Sequence, residues 1–466
     1  MSEGEASVPR SPGGRLLFRL PHPLVLLGAG VAAAALLSFV VPAGEFDRAV
    51  HPVTNRSVVV SGTYHAVPAT PVGPLGALTA IPRGFADAAD VIALVFLIGG
   101  AFTVIDRTGA LRTGLAVLVR ALGGRVALGV PICCLAFAAA GALENMQEEI
   151  VALIPVLVLF AARLGADRVT AVAMSLGSAA VGAAFSPINP FQVVIAQQVA
   201  DVPVFSGSAF RLAVLALALA LWIAAVMRHA RRADREAVAD QDGTLDAEHH
   251  KPLTPARTVL ILSVVLAAFA VFIVGLVRFE WGFNELSGVF LATGIAAGLI
   301  GRLGLSGTAE AYGQGFRDMA LAALLIGVAR GIYVALADGH IVDTIVNGLF
   351  TPLASFPPAV AALGMLVVQT GVHVIVPSVS GQAVLTMPIL APLGDLLSIG
   401  RQVTVLAFQY GAGLCDILTP TNGALMAVLA AAGVPFERWL RFVLPIWVLL
   451  VALGAAAIVG AMAVGL

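Results

Sequence analysis

Apolar runs long enough to cross a bilayer recur along this whole chain, and charged residues are almost confined to the segments between them. A hydrocarbon core about 30 Å thick takes roughly 20 apolar residues as a helix. Inside it every backbone polar group must bond within the protein, which excludes open sheets and loose coil. Hydrophobic residues are 59% of the 466 and charged residues 11%, against about 25% charged in soluble domains. The 49 glycines and 26 prolines do not signal disorder in so apolar a chain; they suggest membrane helices with built-in breaks. The expected fold class is an all-α polytopic membrane protein.

Several activities are excluded on the same page. Lys251 is the sole lysine and follows His250, so no Gly-Lys-Ser/Thr phosphate loop exists. A net charge of −1 offers no footprint for nucleic acid. Cys133, Cys134 and Cys415 lie in apolar runs without metal-ligand spacing, so neither a disulfide framework nor a zinc site is implied. A hydrolase needs a nucleophile beside a base, and neither a Gly-x-Ser-x-Gly elbow nor a His-Glu-x-x-His pair is present. The expectation is a carrier without enzymatic activity or cofactor, save Na⁺ as a coupling ion. An ion channel is the competing class, but channels use symmetric filter rings.

Arginines set the topology through the positive-inside rule. Arg10, Arg15 and Arg19 precede Leu24–Val41, which places the N-terminus in the cytoplasm. The polar, turn-rich stretch from Pro42 to Phe85 is expected outside, and Val91–Ile105 returns to Arg107, Arg112, Arg120 and Arg125. Val126–Ala142 and Ile150–Ala162 flank the polar knot Leu143–Glu149; such short arms suit a re-entrant hairpin over about 126–163. A broken helix over about 169–200 is interrupted by Ser186-Pro187-Ile188-Asn189-Pro190, and Arg211–Val226 leads to a basic linker. The first half is thus 1–227, the cytoplasmic linker 228–257 and the second half 258–466. The second half holds Val259–Val277, Leu286–Ile300, Met319–Ala337, a hairpin over about 359–397, a broken helix over about 404–432, and Phe442–Val464. Nine crossings and two hairpins leave the C-terminus outside. Ala110–Gly123 and Asp343–Leu353 are amphipathic and suit interfacial helices.

A shift of 233 residues superposes landmarks: Pro155 on Pro388, Arg168 on Arg401, Pro187 on Pro420 and Asn189 on Asn422. The polar knot falls on Val376–Gln382, and one break falls on the other. The additional span Leu286–Ile300 inverts the second set relative to the membrane, which predicts inverted repeats. Paired, interrupted segments at matching positions are the sequence pointer to a transporter binding site. Half-helix N-termini there face anions while freed carbonyls hold cations.

Candidate site residues follow. Glu144, Asn145, Glu148 and Glu149 sit at the first tip, where a carboxylate at bilayer depth costs roughly 2.5–3.5 kcal/mol and so usually faces a cavity; a solvated tip is the alternative. Asn189 and Asn422 each offer an acceptor and two donors at a break, suited to a cation and a substrate carboxylate, or to capping. Ser186, Thr419 and Thr421 add hydroxyls, and with Asn189, Asp416 and Asn422 they form the candidate Na⁺ ligands. Ser380 and Gln382 at the second tip are candidate substrate contacts. Arg330, in an otherwise apolar helix, matches a carboxylate; the alternative is an ion pair with Asp416 or a hairpin acid. His373 reads as a packed, satisfied imidazole.

These residues carry a family resemblance. The stretches PHPLVLL…VPAGEFDR, Glu148-Glu149 with Pro155, SPINPF, Ala329-Arg330-Gly331, VPSVSGQAVLTMPILAPLGDLL and FQYGAGLCDILTPTNGALMAVL resemble the YfcC-like transporters, grouped with the DcuC-related four-carbon-dicarboxylate carriers of the ion transporter superfamily. The resemblance covers most of the chain outside the linker. It implies a dimeric elevator-type secondary transporter of the bacterial inner membrane, driven by Na⁺ or H⁺. It also implies a carboxylate substrate, a four-carbon dicarboxylate in the first place and an amino acid, basic or other, in the second. Asn145-Met146-Gln147 and Cys415-Asp416 depart from the family pattern, and specificity is expected to differ there.

Overall fold

Glycine lets helices approach until backbones touch, the main route to tight packing where lipid is as apolar as the side chains. A Cβ on Gly84 would lie 2.5 Å from Gly327 O, and one on Gly182 only 2.1 Å from Ala138 O. The first crossing seals the helices around the long span Gly304–Asp338, and the second joins Val126–Glu144 to the first broken helix.

The computed structural model describes residues 22–52, 57–111, 113–114, 117, 126–144, 147–232, 254–279 and 281–466. The helices are α1 Pro23–Leu37, α2 Pro74–Asp87, α3 Ala89–Arg107, α4 Val126–Glu144, α5 Glu148–Arg163, α6 Arg168–Val172, α7 Ser178–Ala184, α8 Ile195–Val199 and α9 Ser208–Ala230. Then come α10 Pro255–Phe279, α11 Phe283–Ile300, α12 Gly304–Asp338, α13 Val342–Phe350, α14 Pro358–Ile375, α15 Val379–Leu396, α16 Arg401–Cys415, α17 Gly423–Ala432 and α18 Phe436–Ala463. Two π-helical stretches, Ala173–Gly177 and Pro190–Val194, lie inside the first broken helix. Four short strands, β1 Gly44–Glu45, β2 Arg48–Val50, β3 Ser57–Val59 and β4 His65–Ala66, pair antiparallel as β1 with β4 and β2 with β3.

Two packed groups result. Helices α1, α2, α3 and α11 pack on α12, and α10 covers α11. Helices α4 to α9 and α14 to α18 form the other group, in which α4 lies on α7 and α14 on α16. The groups meet where α12 touches α17 and α3 touches α5.

The repeat is visible in the helix ends. Arg163 and Leu396, Arg168 and Arg401, Pro190 and Gly423, Val199 and Ala432, and Ala230 and Ala463 are equivalent boundaries, each pair 233 residues apart. Arg168 donates to Ala432 O at 3.3 Å and its equivalent Arg401 donates to Ala200 O at 2.7 Å. Each half thus ties down the end of the other half's broken helix. Carbonyls freed along these helices go to indoles: Trp222 Nε1 donates to Ala173 O, Trp439 Nε1 to Ile417 O and Trp447 Nε1 to Leu414 O.

Some elements differ from the sequence expectations. Seven helices among the described residues are at least 18 residues long and apolar enough to cross. Two of them, in α4 and α14, are hairpin arms expected to stop short. The arms of the first hairpin, α4 and α5, are longer than read because Glu144 and the Glu148-Glu149 pair are helical, glutamate being a good helix former. Pro74–Asp87 forms a helix inside the stretch read as loop, and the span at Met319 begins at Gly304. Charged Glu310, Arg317 and Asp318 hide that extension from hydropathy while leaving the helix intact. Most of Ala110–Gly123 and Asn145 lie outside the described residues.

Candidate functional site

Three helices begin at one place. Helix α5 starts at Glu148, α15 at Val379 and α17 at Gly423, and all three residues line a cavity of about 510 Å³. Two of these starts carry side-chain caps: Ser378 Oγ accepts from Gly381 N, and Asn422 Oδ1 accepts from Leu425 N at 2.9 Å. Helix N-termini carry unbonded N–H groups and partial positive charge, so their convergence favours an anionic group. The lining also carries Asp87, Glu148, Glu149 and Asp416 against a single cation, Arg330. Such a cavity offers a carboxylate one pole and a cation the other.

The second break supplies the wall. Asp416 Oδ1 accepts from Asn422 Nδ2 at 2.7 Å and lies 2.8 Å from His373 Nε2, while Oδ2 accepts from Gln147 Nε2 at 2.8 Å. Gln382 Nε2 donates to Gln369 O, which turns its Oε1 to receive His373 Nδ1–H at 2.7 Å. His373 and Gln382 are fully buried. The imidazole is satisfied, as read from the sequence, and it bridges the second tip to Asp416.

The first break is closed. Ser186 Oγ donates to Ala142 O and accepts from Ile188 N and Asn189 N. Asn189 Nδ2 donates to Gly141 O at 2.8 Å, and its Oδ1 accepts from Phe191 N and Gln192 N. Gln409 Nε2 donates to Ser186 O, and buried Arg211 donates to Gln409 Oε1. Of this segment only Phe191 reaches the cavity.

Of the sequence candidates, Glu148, Glu149, Ser380, Asn422, Arg330, Asp416 and Thr421 therefore come together around one cavity, whereas Ser186, Asn189, Gln382 and Thr419 stand outside its lining. Thr419 and Thr421 hydroxyls bond each other at 2.7 Å. Each of the six candidate Na⁺ ligands engages the protein's own hydrogen-bonding groups, and no cluster of three His, Cys, Asp or Glu able to hold a metal occurs among the described residues. Arg330 pairs with Asp87, not with Asp416 or a tip acid as the sequence alternative had it. The reason is the α2–α3 junction, which brings Asp87 against α12. Tyr333 stacks on the same guanidinium, 4.9 Å from its ring centroid. Asp87, and the bond from Gln147 to Asp416, escaped the sequence reading because both partners lie more than 240 residues away in the chain.

Known proteins resemble this chain along its whole length. The family model described as DcuC, C4-dicarboxylate anaerobic carrier, matches residues 20–463. The Escherichia coli K12 protein described as putative basic amino acid antiporter YfcC is 32% identical over 96% of this chain and 97% of its own. A Haemophilus influenzae protein is 32% identical over 87% of this chain and 82% of its own. Among solved structures, the Alcanivorax borkumensis YdaH transporter aligns with a TM-score of 0.43 at 18% identity, over 96% of this chain and 99% of that one. Neisseria gonorrhoeae MtrF aligns with a TM-score of 0.39 at 19% identity, over 96% and 95%. A match to the family model over nearly its full length makes this chain a member of the DcuC carrier family, a multi-pass membrane transporter and not an enzyme.

Proposed function

We propose that the cavity carries a basic amino acid, with the substrate α-carboxylate on Arg330 and the N-termini of α15 and α17, and its side-chain cation toward Glu148 and Glu149 at the start of α5. The observation that carries this reading is the lining itself: four carboxylates and one guanidinium, together with three helix N-termini. A dicarboxylate would use the helix ends and Arg330 but would bring two further negative charges into a cavity lined by four carboxylates, at the cost that like charges impose. The relative described as a putative basic amino acid antiporter supports the same choice, and exchange is the mode it suggests.

The two packed groups support an elevator, in which helices α4 to α9 and α14 to α18 move against the group around α12. In this proposal the two helical pairs are re-entrant, the halves are inverted repeats, and a Na⁺ or H⁺ gradient drives transport. It further holds that the carrier is a homodimer of the bacterial inner membrane with its C-terminus outside. The four-carbon dicarboxylate remains a second reading, favoured by the family description and by the helix ends; it requires co-bound cations at the acids.

Proteoliposomes preloaded with arginine test the proposal. Labelled external arginine is expected to exchange inward under an imposed Na⁺ or proton gradient, and succinate to leave it unaffected. Gradient-driven succinate uptake without arginine exchange would replace this reading with the second.

A further inference from the structure

The inner cavity has a neighbour. A cavity of about 430 Å³ lies between the β strands and the C-terminal end of α12, with Glu45, Arg48, Tyr333, His340 and Asp343 in its lining. The strands there are pinned by Arg48, which donates to both oxygens of Asp343 at 3.0 Å, and by a His340–Glu45 contact. Among the described residues, Arg330 and Ser378 alone line both cavities. These two residues are the wall that this cavity, the vestibule, shares with the inner one.

We propose that Asp87 is a tethered stand-in for the substrate carboxylate, and that a carboxylate entering through the vestibule displaces it from Arg330. The inference rests on the reading that Arg330 receives the substrate carboxylate. Three observations carry it. Asp87 offers Arg330 the same functional group that the substrate brings. It does so from the inner side, since Asp87 lines the inner cavity and not the vestibule. The pair is open to solvent, with side chains 32% and 46% exposed, and ion pairs of that exposure are weak enough to exchange. Asp87 is also the last residue of α2, followed by Ala88 at φ −104°, ψ 15° between two helices. It can swing away without unwinding either one, while Tyr333 keeps the guanidinium in place.

The consequence is a competition that only carboxylates meet. A carboxylate binds only to the fraction of carriers whose Arg330 is released, so its apparent affinity is lowered by that fraction. A ligand without a carboxylate makes no use of Arg330 and loses nothing to Asp87.

The test is calorimetric binding of arginine, argininamide and succinate to the purified full chain and to Asp87→Asn, with Asp87→Ser as a second neutral variant should the first not fold. Both variants are expected to bind arginine about threefold more tightly and to leave argininamide unchanged. Were Asp87 merely one more acid attracting a cation, its removal would weaken arginine and argininamide alike, and that result overturns the inference. Equal tightening of both, or no carboxylate binding in either variant, overturns it as well. If succinate binds in place of arginine and tightens in Asp87→Asn, the substrate proposal falls and the role of Asp87 stands.

Discussion

At the first break Asn189 has no exposed surface and commits its amide to Gly141 O, while at the second its equivalent Asn422 turns the amide to Asp416 on the cavity wall. Both asparagines cap the helix that follows, so the backbone device is shared. The surroundings are not. The first break is bonded on every side by Gly141, Ala142, Gln409 and, through it, Arg211. The second faces a cavity with acids and an arginine around it. The two helix interruptions lie at matching positions, and side-chain chemistry makes one a joint of the fold and the other a wall of the cavity.

That contrast can be broken by matched substitutions. Asn189→Ala orphans Gly141 O and two N–H groups in the interior, each worth about 1–3 kcal/mol when unsatisfied. The largest loss of thermal stability in detergent is expected there, with an unchanged arginine KM in whatever protein folds. Asn422→Ala is expected to do the reverse: a stability loss of about 1 kcal/mol for one helix cap and a large rise in KM. Equal phenotypes would dissolve the distinction between the two breaks.

Arg330 sharpens the same comparison on the cavity side. A charge-assisted hydrogen bond contributes about 1.5–3 kcal/mol, so Arg330→Ala should cost roughly tenfold to a hundredfold in arginine affinity. Arg330→Lys should recover little, because a point charge lacks the planar fork. Full recovery by lysine would show that Arg330 supplies charge alone.

Much of this architecture is legible in the chain. The shift of 233 residues locates equivalent helix ends from Arg163 to Ala463, because prolines, asparagines and arginines mark ends whatever the surrounding composition. The acid pair, Asn422, Asp416 and Arg330 are also recognisable, since polar groups inside apolar runs are costly enough to demand a reason. What is hidden is who meets whom. Nothing local marks Asp87 as the partner of Arg330, 243 residues away, and the amides of Asn189 and Asn422 go to partners that the repeat does not share, Gly141 and Asp416. Helix α2 is hidden for a different reason: its Gly, Pro and Arg residues give PLGALTAIPRGFAD the composition of a loop.

The smallest effect concerns the paired arginines and a nearby acid. Arg168→Ala and Arg401→Ala remove equivalent ties to the opposite half; each is expected to cost about 0.2–1 kcal/mol, more for Arg401, which also pairs with Asp395 and Asp201. Asp167, in the turn between α5 and α6, caps Thr170 N at 2.9 Å and meets His229 and Arg438. Burial works to raise its carboxyl, but hydrogen bonds from His229 and Thr170 outweigh it and hold the group at about 2. Its folded pKa lies below the unfolded value near 3.9, so its stabilisation of about 2 kcal/mol is fully present above about pH 4 and is lost as pH falls toward 2. Acid unfolding of Asp167→Asn should lack that component; an identical acid limb in both proteins would remove it.

The most direct measurement is a structure of the carrier with arginine bound. The account predicts a ligand in the 510 Å³ cavity, its carboxylate on Arg330 in place of Asp87 and its guanidinium toward Glu148 and Glu149. A ligand held at Asn189 and Ser186, or an empty cavity at saturating arginine, would contradict it.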